Sequence, residues 1–173
     1  CIRDRTRVES FAPVIGRRPR LLILGSMPGV ASLQAVQYYA HPRNAFWPIM
    51  GELFGFDHAL DYDARLAEIR RRPIILWDSL DSCHRPGSLD SNIDLESAKP
   101  NDFPGLLEHH PGIRAIFFNG AASENYFRRL ALPRLSPDLD IEMRRMPSTS
   151  PANAGMTFQQ KLDAWRRLLD YLD

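Results

Sequence analysis

The chain has little cysteine, almost no lysine and no long apolar run. Its two cysteines, Cys1 and Cys83, are too few for a disulfide framework. Cys83 lies near Asp81 and His84, but no second Cys/His cluster accompanies them, so no metal site is expected. This cysteine usage fits a reducing, cytoplasmic setting. No apolar run approaches about 18 residues and no signal peptide is recognisable, so no membrane span is expected. Repeats and low-complexity tracts are absent. Neither charge sign dominates: 22 basic residues face 21 acidic ones, a formal net charge of +1. That argues against a wholesale nucleic-acid coat but leaves room for a local basic face. GxGxxG and GxxxxGK[ST] are both missing, so neither a dinucleotide site nor a P-loop has motif support.

What is present suggests one domain over 1–173. Hydrophobic residues make up 44% of 173 positions, enough for a real core. Of the basic residues only Lys99 and Lys161 are lysine. Arginine suits bidentate contacts to phosphate, although genome composition alone gives the same bias. Residues 1–19 are Arg-rich and read as an N-terminal arm, irregular or a short helix, packing through Val8, Phe11 and Val14.

Apolar runs at 20–25, 73–77, 113–118 and 141–146 predict four strands. The first is unbroken and closed by glycine, as a buried parallel strand is. The last is less apolar and suits an edge. Helices are predicted from Ser32, as cap, to Tyr39, then over 44–54, 62–71, 103–110, 121–130 and 155–169. Residues 78–102 read as one long irregular segment, a length that is usually functional. Strands alternating with helices give a three-layer α/β/α sandwich around a mostly parallel four-stranded sheet.

Ligands in such folds bind beyond the carboxyl ends of the strands. Four unusual stretches fall there: Gly25-Ser26-Met27-Pro28-Gly29, Trp77-Asp78-Ser79, Asn119-Gly120 and Met146-Pro147-Ser148-Thr149-Ser150. The glycines of the first let backbone amides approach a ligand, though an ordinary strand-to-helix turn explains them too. The three hydroxyls of the last exceed what a helix cap needs and suit a phosphate. Between them, Tyr38, Tyr39, His41, Arg43, Asn44, Phe46 and Trp47 crowd into ten residues. Phe46 and Trp47 read as core. Tyr39 precedes a polar turn and suits stacking on a planar ligand. Asn44 can orient water or read a base edge. His41 is a lone histidine, as well explained by a structural hydrogen bond as by chemistry. No Ser-His-Asp spacing stands out, so a chemistry of positioning with few side chains fits best.

With these blocks assembled, the sequence resembles the uracil-DNA glycosylase superfamily, and more closely its hypoxanthine-DNA (DNA-deoxyinosine) glycosylase branch. The resemblance rests on GSMPGVASLQAVQYYAHPRNAFW at 25–47, WDSLDSCHRPGSLDSNI at 77–93, FNG at 118–120 and MPSTSPANA at 146–154. It implies hydrolysis of the N-glycosidic bond of a deaminated base in DNA, flipped into a pocket and attacked by water. Hypoxanthine leads, with uracil and xanthine also possible substrates. It implies a monofunctional monomer that needs no metal, cofactor or covalent lysine.

The resemblance also implies roles. Mismatch-specific and thymine-type relatives carry a water-activating asparagine in the loop matching 25–29, where this chain has Ser26. In the hypoxanthine branch the catalytic asparagine lies further on and matches Asn44. Uracil-specialised relatives begin the last loop with histidine; here it begins with Met146. The expected base pocket comprises Gly25, Ser26, Met27, Pro28, Gly29, Tyr39, Asp78, Ser79 and Asn119, with Asp78 shaping it or holding Asn44. Arg43, Arg85, Ser88, Met146, Pro147, Ser148, Thr149, Ser150 and Asn153 are expected at the DNA, Asn153 helping to fill the vacated stack. A non-catalytic reader of damaged or mismatched DNA on the same fold is the alternative, supported by Ser26. An unrelated small-molecule hydrolase or phosphate-binding protein is a more distant third reading.

Overall fold

The computed structural model describes residues 6–173. Its centre is a five-stranded sheet, ordered β2-β4-β3-β7-β8. The strands are β2 (Val14–Ile15), β3 (Leu21–Gly25), β4 (Ile74–Asp78), β7 (Ala115–Asn119) and β8 (Glu142–Met146). The four predicted strands are present and mutually parallel. The sheet is nonetheless mixed and has five strands, because β2 pairs antiparallel with β4. A two-residue strand inside an Arg- and Pro-rich stretch leaves no periodic signal. It is held by register, Val14 opposite Leu76 and Ile15 opposite Ile75.

Side-chain alternation sends each parallel strand to two cores. Leu21, Ile23, Ile74, Leu76 and Phe117 pack on one face. Three helices cover them: α2 (Phe46–Phe54), α3 (Tyr62–Arg70) and α6 (Phe158–Trp165). Leu22, Leu24, Ile75, Trp77, Ile116 and Phe118 face the other way. They meet α4 (Phe103–His109) and the π-helical turn Phe127–Ala131 that follows α5 (Ala121–Tyr126). Each such buried side chain contributes roughly 1.5–3 kcal/mol relative to exposure. Caps set the helix starts: Asp61 accepts from the Ala64 N–H, Asp102 from Gly105, and Thr157 and Gln160 form a capping box.

The segment read as irregular is ordered. β5 (Leu80–His84) and β6 (Asp94–Pro100) form a hairpin, and β1 (Arg7–Glu9) joins β5 to complete a second, antiparallel sheet. The described part of the expected arm therefore contributes a strand to each sheet. Polar residues dominate β6, ESAK within it, so no hydrophobic alternation announced it. The hairpin buries Leu80, Cys83 and Ile93 against Met27.

The first predicted helix is shorter than expected. α1 (Val30–Ala35) ends because Val36 takes a left-handed conformation, φ 54°. Ser32 lies inside it instead of capping it, and its hydroxyl accepts from the Ala40 N–H at 3.1 Å.

Candidate active site

The carboxyl ends of β3, β4, β7 and β8 open into one cleft of about 730 Å³. Gly25 and Asp78 are opposite one another in the β3–β4 register and form its floor. A Cβ on Gly25 would stand 2.5 Å from Asp78 Oδ1 and 3.1 Å from the Tyr39 hydroxyl. Glycine here is what allows these two groups to converge.

Tyr39 forms a wall. Its ring stacks on Phe46 at 4.0 Å between centroids and 27° between planes. Phe46 is completely buried against Trp47 and Trp165. Tyr39 itself has φ 55°, a conformation that non-glycine residues adopt at a cost and that clusters at functional sites. Burial pushes its hydroxyl well above the usual tyrosine range, and Asp78 adds to the rise. The Asn119 amide is close enough to offset part of it. Even so, the buried hydroxyl has no hydrogen-bond partner among the described residues.

Asp78 is 3% exposed and its Oδ2 is likewise unpartnered. Burial raises its carboxyl to about 7, with repulsion from Asp90 adding and Arg85 opposing. Asp90 was not singled out from the sequence. Its carboxylate turns into the cleft and accepts the Ser26 hydroxyl at 2.6 Å. Burial raises Asp90 too, while the Ser26 bond holds it down. Sixty-four positions separate these partners, and no local pattern links them.

Asn44 also faces the cleft. Its Oδ1 accepts from the Phe46 N–H at 3.0 Å, a side-chain turn that leads into α2. The expected link from Asp78 to Asn44 is not formed. Asn44 is positioned through its neighbour: the Ala45 N–H donates to the Thr149 carbonyl at 2.9 Å. Thr149 is in turn tied to Asn119 by two hydrogen bonds.

The last loop is braced from within and below. The Ser148 and Ser150 hydroxyl oxygens accept from the Ser150 and Ala152 N–H groups. Asn153 donates to the Ser148 carbonyl, and Trp165 to the Pro147 carbonyl. Buried Lys161 reaches the Ser150 carbonyl at 3.4 Å, and its ammonium is lowered by that burial. Gly120 has φ 94°, and a Cβ there would stand 3.0 Å from the Ser148 Cβ. The conformation and the close approach both require glycine.

Sixteen residues expected from the sequence line this cleft: Gly25, Ser26, Met27, Pro28, Gly29, Tyr39, Asn44, Asp78, Ser88, Asn119, Met146, Pro147, Ser148, Thr149, Ser150 and Asn153. Three lie elsewhere. Ser79 is completely buried beneath the cleft, donating to the Ser123 carbonyl, so it is not a pocket residue. Arg85 is 2% exposed; its Nε donates to the Gly87 carbonyl and its guanidinium also reaches the Pro28 carbonyl. It braces two loops and offers no surface for a phosphate. Arg43 is exposed but outside the cleft, with its N–H donated to His41 Nδ1. Phe11, Tyr38 and Arg145 line the cleft in addition. Val8, Phe11 and Val14 pack as expected, but Phe11 reaches the site only because β1 and β2 carry the chain across both sheets.

Comparisons with known proteins agree with this geometry. The family model for the uracil DNA glycosylase superfamily matches residues 13–172. A hypoxanthine DNA glycosylase of Methanosarcina barkeri is 38% identical over 119 residues, 68% of this chain and 74% of that protein. One from Methanosarcina acetivorans is 35% identical over 146 residues, 84% of this chain and 87% of that protein. The solution NMR structure of a candidate uracil DNA glycosylase from Methanosarcina acetivorans superposes with a TM-score of 0.74 at 32% identity, covering 94% of this chain and 99% of that one. A mixed sheet with flanking helices, a cleft at its carboxyl edge and these relatives lead to one conclusion: the chain belongs to the uracil-DNA glycosylase superfamily, in its hypoxanthine-DNA glycosylase branch.

Proposed function

We propose that this protein excises hypoxanthine from DNA, hydrolysing the N-glycosidic bond of deoxyinosine after the nucleotide turns out of the helix. The observation that carries the reading is the convergence of Tyr39, Asn44 and Asp78 on one cleft beside a hydroxyl-rich loop. A flipped base enters the cleft beside the Tyr39 wall. The floor meets its edge with Asp78 Oδ2 and the hydroxyl of Tyr39, two buried atoms without a hydrogen-bond partner among the described residues. Hypoxanthine offers N1–H and O6 there, a donor beside an acceptor, and these suit an ionised Asp78 and a tyrosine hydroxyl. Adenine presents an acceptor and an amino group at the same atoms and leaves the pair mismatched.

Asn44 is the proposed catalytic residue. With its oxygen engaged at α2, its amide NH2 is the group left for water or for charge developing at the sugar and base. Ser148 and Ser150 hydroxyls donate to phosphate beside the extruded nucleotide, Thr149 orders their loop, and exposed Arg43 adds charge outside the cleft. Uracil and xanthine share the lactam edge and are secondary substrates. Ser26 donates to Asp90 and is assigned to holding the cleft wall.

End-labelled duplexes with a single hypoxanthine, uracil, xanthine or thymine mismatch, treated with excess protein and then alkali, test the reading. Strongest cleavage at hypoxanthine is expected, and it is lost in Asn44→Ala. Cleavage at uracil alone overturns the substrate assignment. Specific binding without cleavage favours the non-catalytic reader.

A further inference from the structure

The amino edge of the large sheet, opposite the cleft, collects arginine. β2 runs into Arg17 and Arg18, β3 starts after Arg20, β4 after Arg72 and Pro73, and β7 after Arg114. Backbone hydrogen bonds set them side by side: the Arg17 N–H donates to the Arg72 carbonyl, and the Arg114 N–H to the Arg20 carbonyl. Part of this charge is engaged within the fold. Arg71 and Arg72 pair with Glu68, and the Arg114 guanidinium reaches the Asp173 carbonyl. Arg17, Arg18 and Arg20 are exposed and form no ion pair or side-chain hydrogen bond among the described residues. A concavity of about 330 Å³ opens beside them, lined by Arg18, Arg20, His109 and His110. Gly112 lets its two loops meet, because a Cβ there would stand 3.1 Å from the Pro19 carbonyl oxygen. Arg18 has φ 46°, a conformation that non-glycine residues adopt at a cost. His109 Nδ1 donates to the Gly105 carbonyl at 2.7 Å, which fixes its ring. Of the residues that flank these loops in the chain, only Glu108 is acidic. Among the described residues no Phe, Tyr or Trp lines the concavity, so it has no platform for a base.

We propose that this edge binds the phosphate backbone of a second DNA segment while the cleft holds the first. The inference goes beyond the glycosylase reading above and shares with it only DNA as the partner. Arginine forks match phosphate oxygens bidentately. Cations without a base platform give contact that is independent of sequence. β3 separates the two sites: Arg20 and Gly25 stand at its opposite ends, roughly 17 Å apart at about 3.3 Å per residue. A duplex seated at the carboxyl edge therefore leaves the amino edge open to another segment. Holding two segments lets the protein pass between them without leaving DNA, which shortens the search for a rare damaged base.

The test fills the cleft with a hairpin duplex carrying 2′-fluoro-deoxyinosine, whose fluorine opposes cleavage. A second, undamaged duplex with a fluorescent label is then titrated in at several salt concentrations, and its anisotropy is read. The loaded protein is expected to bind it. Replacing Arg17, Arg18 and Arg20 together by serine is expected to weaken that binding about tenfold or more and to lower its salt slope by about two to three. Replacing the same three by lysine keeps the charge and is expected to keep most of the slope. Single-turnover cleavage of deoxyinosine at saturating protein is expected to stay within about twofold in both variants. No binding of the second duplex to the loaded protein, or binding that the serine variant leaves unchanged, overturns the proposal. A polyglutamate peptide bound more tightly than the duplex makes the edge a site for an acidic protein and overturns it too. Second-duplex binding by a protein that cleaves no deoxyinosine keeps this site and overturns the glycosylase reading alone.

Discussion

Asn119 and Thr149 hold each other reciprocally: the Asn119 side-chain NH2 donates to the Thr149 hydroxyl, and the Thr149 N–H donates to the Asn119 side-chain Oδ1, both at 2.9 Å. This pair joins the end of β7 to the last loop. Because the Thr149 carbonyl also receives the Ala45 N–H, the pair sets the start of α2 and with it Asn44. Thr149 is 1% exposed, so a lost partner stays unsatisfied. Thr149→Val is expected to cost about 1–3 kcal/mol in denaturant unfolding, and Thr149→Ser much less. Equal stability of the valine variant would remove this clamp from the account.

Asn44 has a structural and a proposed chemical role, and substitution separates them. Asn44→Asp keeps an oxygen for the Phe46 N–H, so stability is expected to hold within about 0.5 kcal/mol. Asn44→Ala loses the hydrogen bond to the Phe46 N–H and about 1 kcal/mol. Both lack the amide NH2, and single-turnover cleavage is expected to fall by about 100-fold or more in each. An active Asn44→Asp variant would leave the side chain only its structural hydrogen bond to the Phe46 N–H.

The buried Asp78 carboxyl makes stability depend on pH. Its folded pKa, about 7, lies above the ordinary aspartate value of 3.8. Between these values the folded state binds the proton and the unfolded state has lost it. The stabilisation is therefore complete below about pH 4 and disappears as pH rises through 7. Asp78→Asn is expected to flatten that slope and to raise stability at pH 8 by on the order of a few kcal/mol. Denaturant midpoints from pH 4 to 8 for both proteins check this. Parallel curves would mean that Asp78 is ionised throughout.

Gly25→Ala tests the floor. The added methyl stands 2.5 Å from Asp78 Oδ1, so the carboxyl must move. A loss of about 1–3 kcal/mol is expected, with a larger loss of activity than Gly155→Ala, whose Cβ meets nothing within 4 Å. Comparable activity in the two variants would show that the Asp78 position is unimportant.

Arg85 distinguishes bracing from phosphate contact. A lost phosphate contact lowers the salt slope of DNA binding by about one. Arg85→Met is expected to lower the Tm and leave that slope unchanged. Arg43→Met is expected to do the reverse. A reduced slope in Arg85→Met would return Arg85 to the DNA surface.

Much of this protein is legible in one dimension because its central signals are local. LLILG and PIILW read as buried strands from composition alone, and both are β-strands with every described β3 and β4 residue buried. Strand ends bearing glycine, aspartate, asparagine and a hydroxyl-rich loop had to meet once the strands ran parallel. Sixteen of the expected site residues consequently line one cleft. Tertiary structure alone decided what depends on distant pairing. β2 is too short to carry a pattern, and β6 is too polar. Arg85 reads as a surface cation until its carbonyl partners and 2% exposure are known. Ser79 sits next to Asp78, yet in the bend between β4 and β5 its hydroxyl is buried and donates to the Ser123 carbonyl. Asp90 acquires its place only when β5 and β6 fold their connecting loop over β3 and bring it to Ser26. Burial and long-range hydrogen bonds are properties of the whole packed chain, and the identity of a residue and its neighbours does not contain them.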